Sequence, residues 1–179
     1  MKQKREQEIS LDNDPVAVED SSTSNSVLRA SQGTEGNEVN IEGTEDELTN
    51  KFSKTLGTTD MDCGKFLIKQ AHDAHPESDK HNAADIVNQV TPLLHAIEPQ
   101  DELEGMLAVQ MVGIHNLTME MMRRVSLPDQ TVDGVNDNIN RINKLSRTFV
   151  AQLEALDRHR NKGQQKMTVE HVHVNKGGQ

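Results

Sequence analysis

The sequence ends with a pair of histidines whose spacing could hold a metal ion. His171 and His173 lie in the alternating run MTVEHVHV, a pattern typical of a β-strand. Side chains two positions apart on a strand point to the same face, so both imidazoles can approach one ion, for which Zn is the candidate. A zinc site needs a third protein ligand, either His159 or histidines of a second chain. Alternatively, Val172 and Val174 pack inward and the histidines are half-exposed strand residues.

Other polar clusters match known ligand patterns less closely. His72 and His75 share one face of a helix, but a helix carboxyl end also attracts such side chains through its dipole. The loop starting at Asp129 has aspartates at calcium-ligand positions, yet Asn140 stands where that loop requires a bidentate Glu. Cys63 is the only cysteine, and neither a nucleophile motif nor a glycine-rich phosphate loop is present. These observations argue against an enzyme and indicate no catalytic residue or cofactor.

Composition and charge narrow the classes of function further. Of the 179 residues only 2% are aromatic, and the formal net charge is −10. Nucleic-acid binding normally requires a basic surface and aromatic stacking platforms, so this composition argues against it. No apolar run approaches the roughly 20 residues of a membrane span. We therefore expect a cytoplasmic protein with no membrane association and no internal disulfide.

The acidic charge is concentrated near the amino terminus. Residues 1–50 contain four Lys or Arg and twelve Asp or Glu, which gives −8 of the total −10. Apolar residues up to Gly43 are too sparse and aperiodic to compensate for the entropy lost on ordering. We therefore expect residues 1–43 to form a disordered acidic arm.

Three short helices are predicted for residues 44–98. Thr44 and Glu47 have the spacing of a capping box, which marks the start of the first helix. The second is expected to bury Phe66 among its apolar residues. Pro92 lies inside the pattern of the third and is expected to kink or split it.

Two longer amphipathic helices are predicted for residues 99–162. Pro99 suits the first position of a helix, and Pro128 lies in the polar break between the two. Helices joined by a short break are expected to pack antiparallel as a hairpin. The second helix carries apolar residues at successive seven-residue steps, the spacing of a coiled coil: Val135, Ile142, Phe149 and Leu156. A second chain could also use this face.

The first of these long helices contains methionines and small residues at unusual density. Its methionines are Met106, Met111, Met119, Met121 and Met122. Methionines at helical spacing are typical of a hydrophobic core. Alternatively, they form a docking face for a partner helix, in which case this chain would expose an apolar patch. Gly105 and Gly113 would permit a close approach of another element, or simply weaken the helix.

These observations predict a mainly α fold: a helical hairpin or bundle with a disordered amino-terminal arm and a short strand within residues 163–179. A lone strand leaves backbone groups unpaired, so it must pair with another copy or with the sheet edge of a partner protein. We interpret the chain as a non-enzymatic, self-associating helical interaction protein. Its interaction residues are the four seven-residue positions together with Val172 and Val174. The alternative is a metal-binding module or metal-dependent enzyme that uses His171 and His173.

The carboxy-terminal half also contains a signature of three stretches. They are DELEGMLAVQM at residues 101–111, NKLSRTFVAQLEALDRHRNKGQQKMTVEHVHV at residues 143–174, and the closing GGQ. From about Pro99 onward, the chain resembles a family of uncharacterised proteobacterial proteins. The resemblance implies a bacterial source and supports a boundary near Pro99, and it implies no activity, cofactor or catalytic residue.

Overall fold

The structure, a computed structural model, describes residues 27–33 and 39–161. Within these residues a two-stranded hairpin precedes five α-helices. The elements are β1 (Ala30–Gln32), β2 (Val39–Ile41), α1 (Glu45–Leu56), α2 (Met61–Asp73), α3 (Ala83–Ile97), α4 (Glu102–Val125) and α5 (Val132–Arg160). The prediction of a mainly helical fold is therefore confirmed. No helix in the described part is both long and apolar enough to cross a membrane.

Each helix begins at a side chain that accepts a hydrogen bond from its first turn. Thr44 Oγ1 accepts from the Glu47 amide at 3.4 Å, and Glu47 Oε2 accepts from the Thr44 amide at 2.9 Å. This reciprocal pair is the predicted capping box. The corresponding residues of the other helices are Asp60, Asn82, Asp101 and Thr131. Gly57 ends α1 at a φ of 70°, which glycine adopts without steric cost.

The core lies where the β-hairpin, α1, α2, α3 and α4 meet. Its largest fully buried apolar side chains are Leu28, Phe52, Leu56, Leu67, Ile86, Val90 and Leu94. Each contributes about 1.5–3 kcal/mol of transfer free energy. Gly105 allows α4 to approach α1 closely, since a Cβ there would lie 2.0 Å from the carbonyl oxygen of Leu56. The predicted close approach at Gly105 is confirmed.

The β-hairpin corrects the prediction that residues 1–43 form a disordered arm. β1 and β2 pair antiparallel, with Ser31 opposite Asn40. The prediction is therefore wrong for the strand residues, and residues 1–26 and 34–38 lie outside the described part. The short strand predicted within residues 163–179 lies outside it as well.

Side chains of α3 hold the β-hairpin in place. Asn88 accepts a hydrogen bond from the Ala30 amide at 2.9 Å and donates one to the Ala30 carbonyl at 2.8 Å. The Thr91 hydroxyl donates to the carbonyl of Leu28 at 3.1 Å, and it is fully buried. These partners are 58 and 63 positions apart, so a local sequence pattern cannot indicate them.

Two local predictions are also corrected. Phe66 is 59% exposed, because the buried face of α2 is formed by Leu67, Ile68 and Ala71 instead. Of the two outcomes predicted for Pro92, the split is wrong, because α3 runs unbroken from Ala83 to Ile97. Proline removes one backbone hydrogen bond, but the buried apolar residues before and after it keep the helix packed on the core.

Candidate functional site

α4 and α5 form an antiparallel helical hairpin joined by residues 126–131. Their contact is the largest between any two elements of the described chain. Gln152 Nε2 of α5 donates to Gln110 Oε1 of α4 at 3.2 Å. Arg160, at the end of α5, reaches Glu104 in the first turn of α4. These two contacts define the antiparallel arrangement that the sequence predicted.

The four predicted seven-residue positions of α5 face α4. Leu156 is buried, and Val135, Ile142 and Phe149 are half-buried. Within the described residues only α4 makes more than marginal contact with α5, so α4 covers these side chains. Association of a second chain through the same face would therefore compete with α4.

The contact surface between α4 and α5, called the seam below, also includes polar side chains at its other inward positions. Asn138, Leu145 and Gln152 lie three residues after successive seven-residue positions and are also turned inward. Asn138 is only 7% exposed, and Gln152 Oε1 has no hydrogen-bond partner in the described part. Polar residues at such positions fix the register of paired helices at some cost in stability. The seam is therefore suited to specify one pairing of α4 and α5.

A second apolar line on α5 is open to solvent. Val132 is 77% exposed, Ile139 42% and Leu153 51%, and their spacing is a multiple of seven residues. Val150, 53% exposed, lies on the same side of the helix. Ile139 and Leu153 lie four residues after Val135 and Phe149, which face α4. This spacing places the line along the flank of the hairpin. No described element covers this flank line (Val132, Ile139, Val150 and Leu153).

The methionines of α4 are divided between the interior and the surface. Met111 and Met121 are buried, whereas Met106, Met119 and Met122 are about half exposed. Met106 lines a cleft of about 700 Å³ between α2, α4 and α5. Met106 and Met122 are 16 positions apart, which places them about 160° apart around the helix, so the half-exposed methionines do not form one continuous docking face.

A buried ion pair joins the two ends of the hairpin. Glu104 is only 2% exposed, and its Oε2 accepts from Arg160 Nε at 3.0 Å and Nη2 at 2.9 Å. Arg160 Nη2 also donates to the carbonyls of Ile97 and Glu98. Burial raises the pKa of Glu104, but hydrogen bonds from Arg160 and the Gln100 amide outweigh it and leave the pKa below its usual value. Arg160 thus fastens α5 to α4 and to the end of α3.

Of the predicted metal ligands, His159 is the one that the structure describes. His159 Nε2 lies 3.0 Å from Asp101 Oδ2, and one potential ligand atom each of Asp101, Glu104 and His159 lies within 4.8 Å of the others. Hydrogen bonds lower the pKa of Asp101, first from the Glu104 amide and then from His159. The guanidinium of Arg160 bonds Glu104 and opposes a second cation there. The cluster could hold a metal ion only if Arg160 moved away from Glu104.

The other predicted site residues are not brought together in the described part. His171, His173, Val172 and Val174 lie outside it. His72 Nδ1 contacts Asp73 Oδ1 at 3.0 Å, and His75 Nδ1 accepts from the Glu77 amide at 3.3 Å. These are local contacts at the end of α2, and within the described residues they do not complete a metal-ligand group of three.

The segment starting at Asp129, which was compared with a calcium-binding loop, forms the end of the α4–α5 connection and the start of α5. Asp129 has a φ of 60°, and Thr131 Oγ1 caps α5 by accepting from the Gly134 amide at 3.1 Å. Asn140 lies within the helix and is exposed. The segment is therefore organised as a helix start, in agreement with its lack of a bidentate Glu.

Comparisons with known proteins give no relative. No family model, curated protein or solved structure matches the chain. The sequence did not indicate two residues of this cluster, Glu104 and Asp101, as site residues. The antiparallel hairpin alone does not indicate their pairing with Arg160 and His159, because α4 and α5 differ in length, with 24 and 29 residues.

Proposed function

We propose that the protein is a non-enzymatic helical interaction protein that self-associates through the flank line of α5. The observation that supports this proposal is the exposure of Val132, Ile139 and Leu153 at seven-residue multiples. They lie on a helix whose described contacts are with α4. Regularly spaced apolar side chains on one side of a helix are suited to pack against a second helix.

The flank line is favoured over the four seven-residue positions first considered, since α4 already covers those positions. Two hairpins placed side by side would cover both flank lines and leave each seam intact. Each apolar side chain that becomes buried contributes up to about 1.5–3 kcal/mol before the costs of association. The arrangement corresponds to a four-helix bundle built from two hairpins.

The solution mass of the full chain tests this proposal. Light scattering at the highest attainable concentration should give a multiple of the monomer mass. The double variant Ile139→Glu with Leu153→Glu should be monomeric, because it places charges in the interface. The matched control, Asn140→Glu with Ala151→Glu, adds the same charges at exposed positions of α5 that face away from both α4 and the flank line, and it should remain associated. A monomeric natural chain, or a flank variant that retains the oligomer mass, would contradict the proposal.

A second candidate function is metal binding by Asp101, Glu104 and His159, which lie close together and would require Arg160 to move away from Glu104. His171 and His173 could add ligands to this cluster. Equilibrium dialysis of the full chain with Zn²⁺ is the test, with His159→Ala as the variant. The control is His115→Ala, which changes an exposed histidine outside the cluster. Binding of one zinc ion per chain that is lost only in His159→Ala would favour this function, and absence of bound zinc would end it.

A further inference from the structure

The outer edge of β2 is open for pairing with another strand. The Glu42 amide donates to the Arg29 carbonyl at 3.3 Å, which sets the phase of hydrogen bonding between the two strands. Because bonded and non-bonded pairs alternate in an antiparallel ladder, the N–H and C=O groups of Val39 and Ile41 point away from β1. Among the described residues, no hydrogen bond reaches these outward groups.

The two edges of the sheet differ in this respect. On the β1 side, both outward backbone groups of Ala30 are bonded by Asn88. On the β2 side, the described part of the chain supplies no equivalent of Asn88. Unpaired edge groups favour the addition of an extended segment.

An apolar cleft lies beside the open edge of β2. Its volume is about 420 Å³, and it is bounded by β2, α2 and α3. The apolar residues that line it are Val39, Ile41, Ile68, Ala83 and Val87. Lys65 lies at the same cleft, is exposed, and forms no ion pair within the described residues. The cleft therefore suits an extended segment with apolar side chains and a carboxylate on one face.

We propose that residues 167–174 of the same chain bind along the outer edge of β2 as a third strand. In this segment Glu170, Val172 and Val174 alternate with other residues and therefore share one face. The two valines are suited to enter the apolar cleft. The Glu170 carboxylate is suited to pair with Lys65, which has no ion-pair partner among the described residues. The backbone of the segment would bond the outward groups of Val39 and Ile41.

The chain is long enough for this segment to reach the cleft. Arg160 Nη2 bonds the carbonyl of Ile97 at the end of α3, and Val87 of the cleft lies on the same helix. The helix between Val87 and Ile97 is about 15 Å long at 1.5 Å per residue. The eleven steps from Asn161 to Val172 can span up to about 36 Å, which exceeds the length along α3 together with that of the Arg160 side chain. The segment can therefore pair with β2 within one molecule.

Amide hydrogen exchange in the full chain tests the pairing. We compare the natural chain with the double variant Val172→Asp and Val174→Asp. The variant should exchange the Val39 and Ile41 amides about tenfold faster, since each loses one hydrogen bond. The Asn40 amide faces β1 and should exchange at the same rate in both chains. Equal rates at Val39 and Ile41 in the two chains would overturn the proposal.

A control on the opposite face of the segment separates pairing from a general effect of charge. His171→Asp with His173→Asp adds the same charges on the side turned away from the cleft. This variant should keep the slow exchange of Val39 and Ile41. If it accelerates exchange as much as the valine variant does, the valines do not enter the cleft and the proposal fails.

A nitroxide attached to His173→Cys, in a chain that also carries Cys63→Ser, locates the segment directly. It should broaden the NMR signals of Val39, Ile41 and Lys65. Broadening at the flank line of α5 instead would overturn the proposal. Broadening of β2 signals in a mixture of isotope-labelled chains without nitroxide and unlabelled chains with it would assign the segment to a second copy and contradict pairing within one molecule.

The two proposals fail independently. The flank variant Ile139→Glu with Leu153→Glu should become monomeric and keep slow exchange at Val39 and Ile41. The valine variant should keep the oligomer mass and lose the slow exchange.

Discussion

Glu104 and Arg160 are 56 positions apart in the chain and form a two-donor ion pair between the first turn of α4 and the last turn of α5. The carboxylate is buried, and the side chain of Arg160 is 37% exposed. Solvent therefore screens the pair from one side only. The pair joins the ends of the helices at the point where α3 also ends.

Arg160→Ala should lower the free energy of unfolding by about 2 kcal/mol, because it leaves a buried carboxylate without its charged donors. Urea unfolding at neutral pH measures this loss. The control is Arg158→Ala, whose pair with Glu154 is long, 3.5 Å, and exposed on both sides. The control should lose less than about 1 kcal/mol. Equal losses in the two variants would show that the buried pair does not fasten the hairpin.

The folded protein should lose stability in acid because the Glu120 carboxylate becomes protonated. Hydrogen bonds from Arg123 and then Arg124 lower the pKa of Glu120 from its usual 4.5 to about 2. The folded pKa is below the unfolded one, so the stabilisation is present above about 4.5 and is lost as the pH falls toward about 2. Urea midpoints measured across this range should decline. The variant Glu120→Gln should be less stable than the natural chain at neutral pH, and its urea midpoint should decline less steeply as the pH falls. Parallel plots of urea midpoint against pH for the two proteins would contradict this account.

Two glycines of α4 should respond to the same substitution with opposite signs. Gly105→Ala places a Cβ against the Leu56 carbonyl oxygen, and overpacking of this kind costs about 1–3 kcal/mol. Gly113→Ala meets only the Cβ of Ala74, at an ordinary 3.5 Å. It should stabilise the protein by up to about 1 kcal/mol through helix propensity. Thermal unfolding of both variants checks the sign, and a stable Gly105→Ala protein would exclude the tight contact.

Asn88→Ala should release the β-hairpin from α3. The change leaves both outward backbone groups of Ala30 unbonded, at a cost of about 1–3 kcal/mol. Hydrogen exchange of the Ala30 amide should accelerate at the same time. Gln89→Ala, at the neighbouring exposed position, is the control and should change stability by no more than about 0.5 kcal/mol. Unchanged exchange at Ala30 would contradict the role of Asn88.

The helices could be predicted from the sequence because their signals are local. The capping box of Thr44 and Glu47 lies within four residues, and the seven-residue spacing of α5 covers four positions in three steps. Short-range signals of this kind depend on neighbouring positions only. They also sufficed to predict that α4 and α5 pack antiparallel.

The strands and the ion pair could not be predicted because they depend on distant residues. β1 and β2 have three residues each and exist beside Asn88 and Thr91 of α3. The exposure of Phe66 has the same origin. Its apolar character fits a core position, but the orientation of α2 is set by how Leu67 and Ala71 meet the other helices. The seven-residue pattern indicated one apolar face of α5, whereas the exposed flank line could be recognised only once the position of α4 was known.

The short connection between α4 and α5 also has a consequence for the order of folding. Contacts beside the connection of residues 126–131 close a small loop, whereas the bond between Thr91 and Leu28 spans 63 positions. Loop closure costs more entropy as the loop lengthens, and chains rich in local contacts fold faster. The two long helices are therefore expected to form an early nucleus on which the earlier half of the chain assembles, with the strands arriving last.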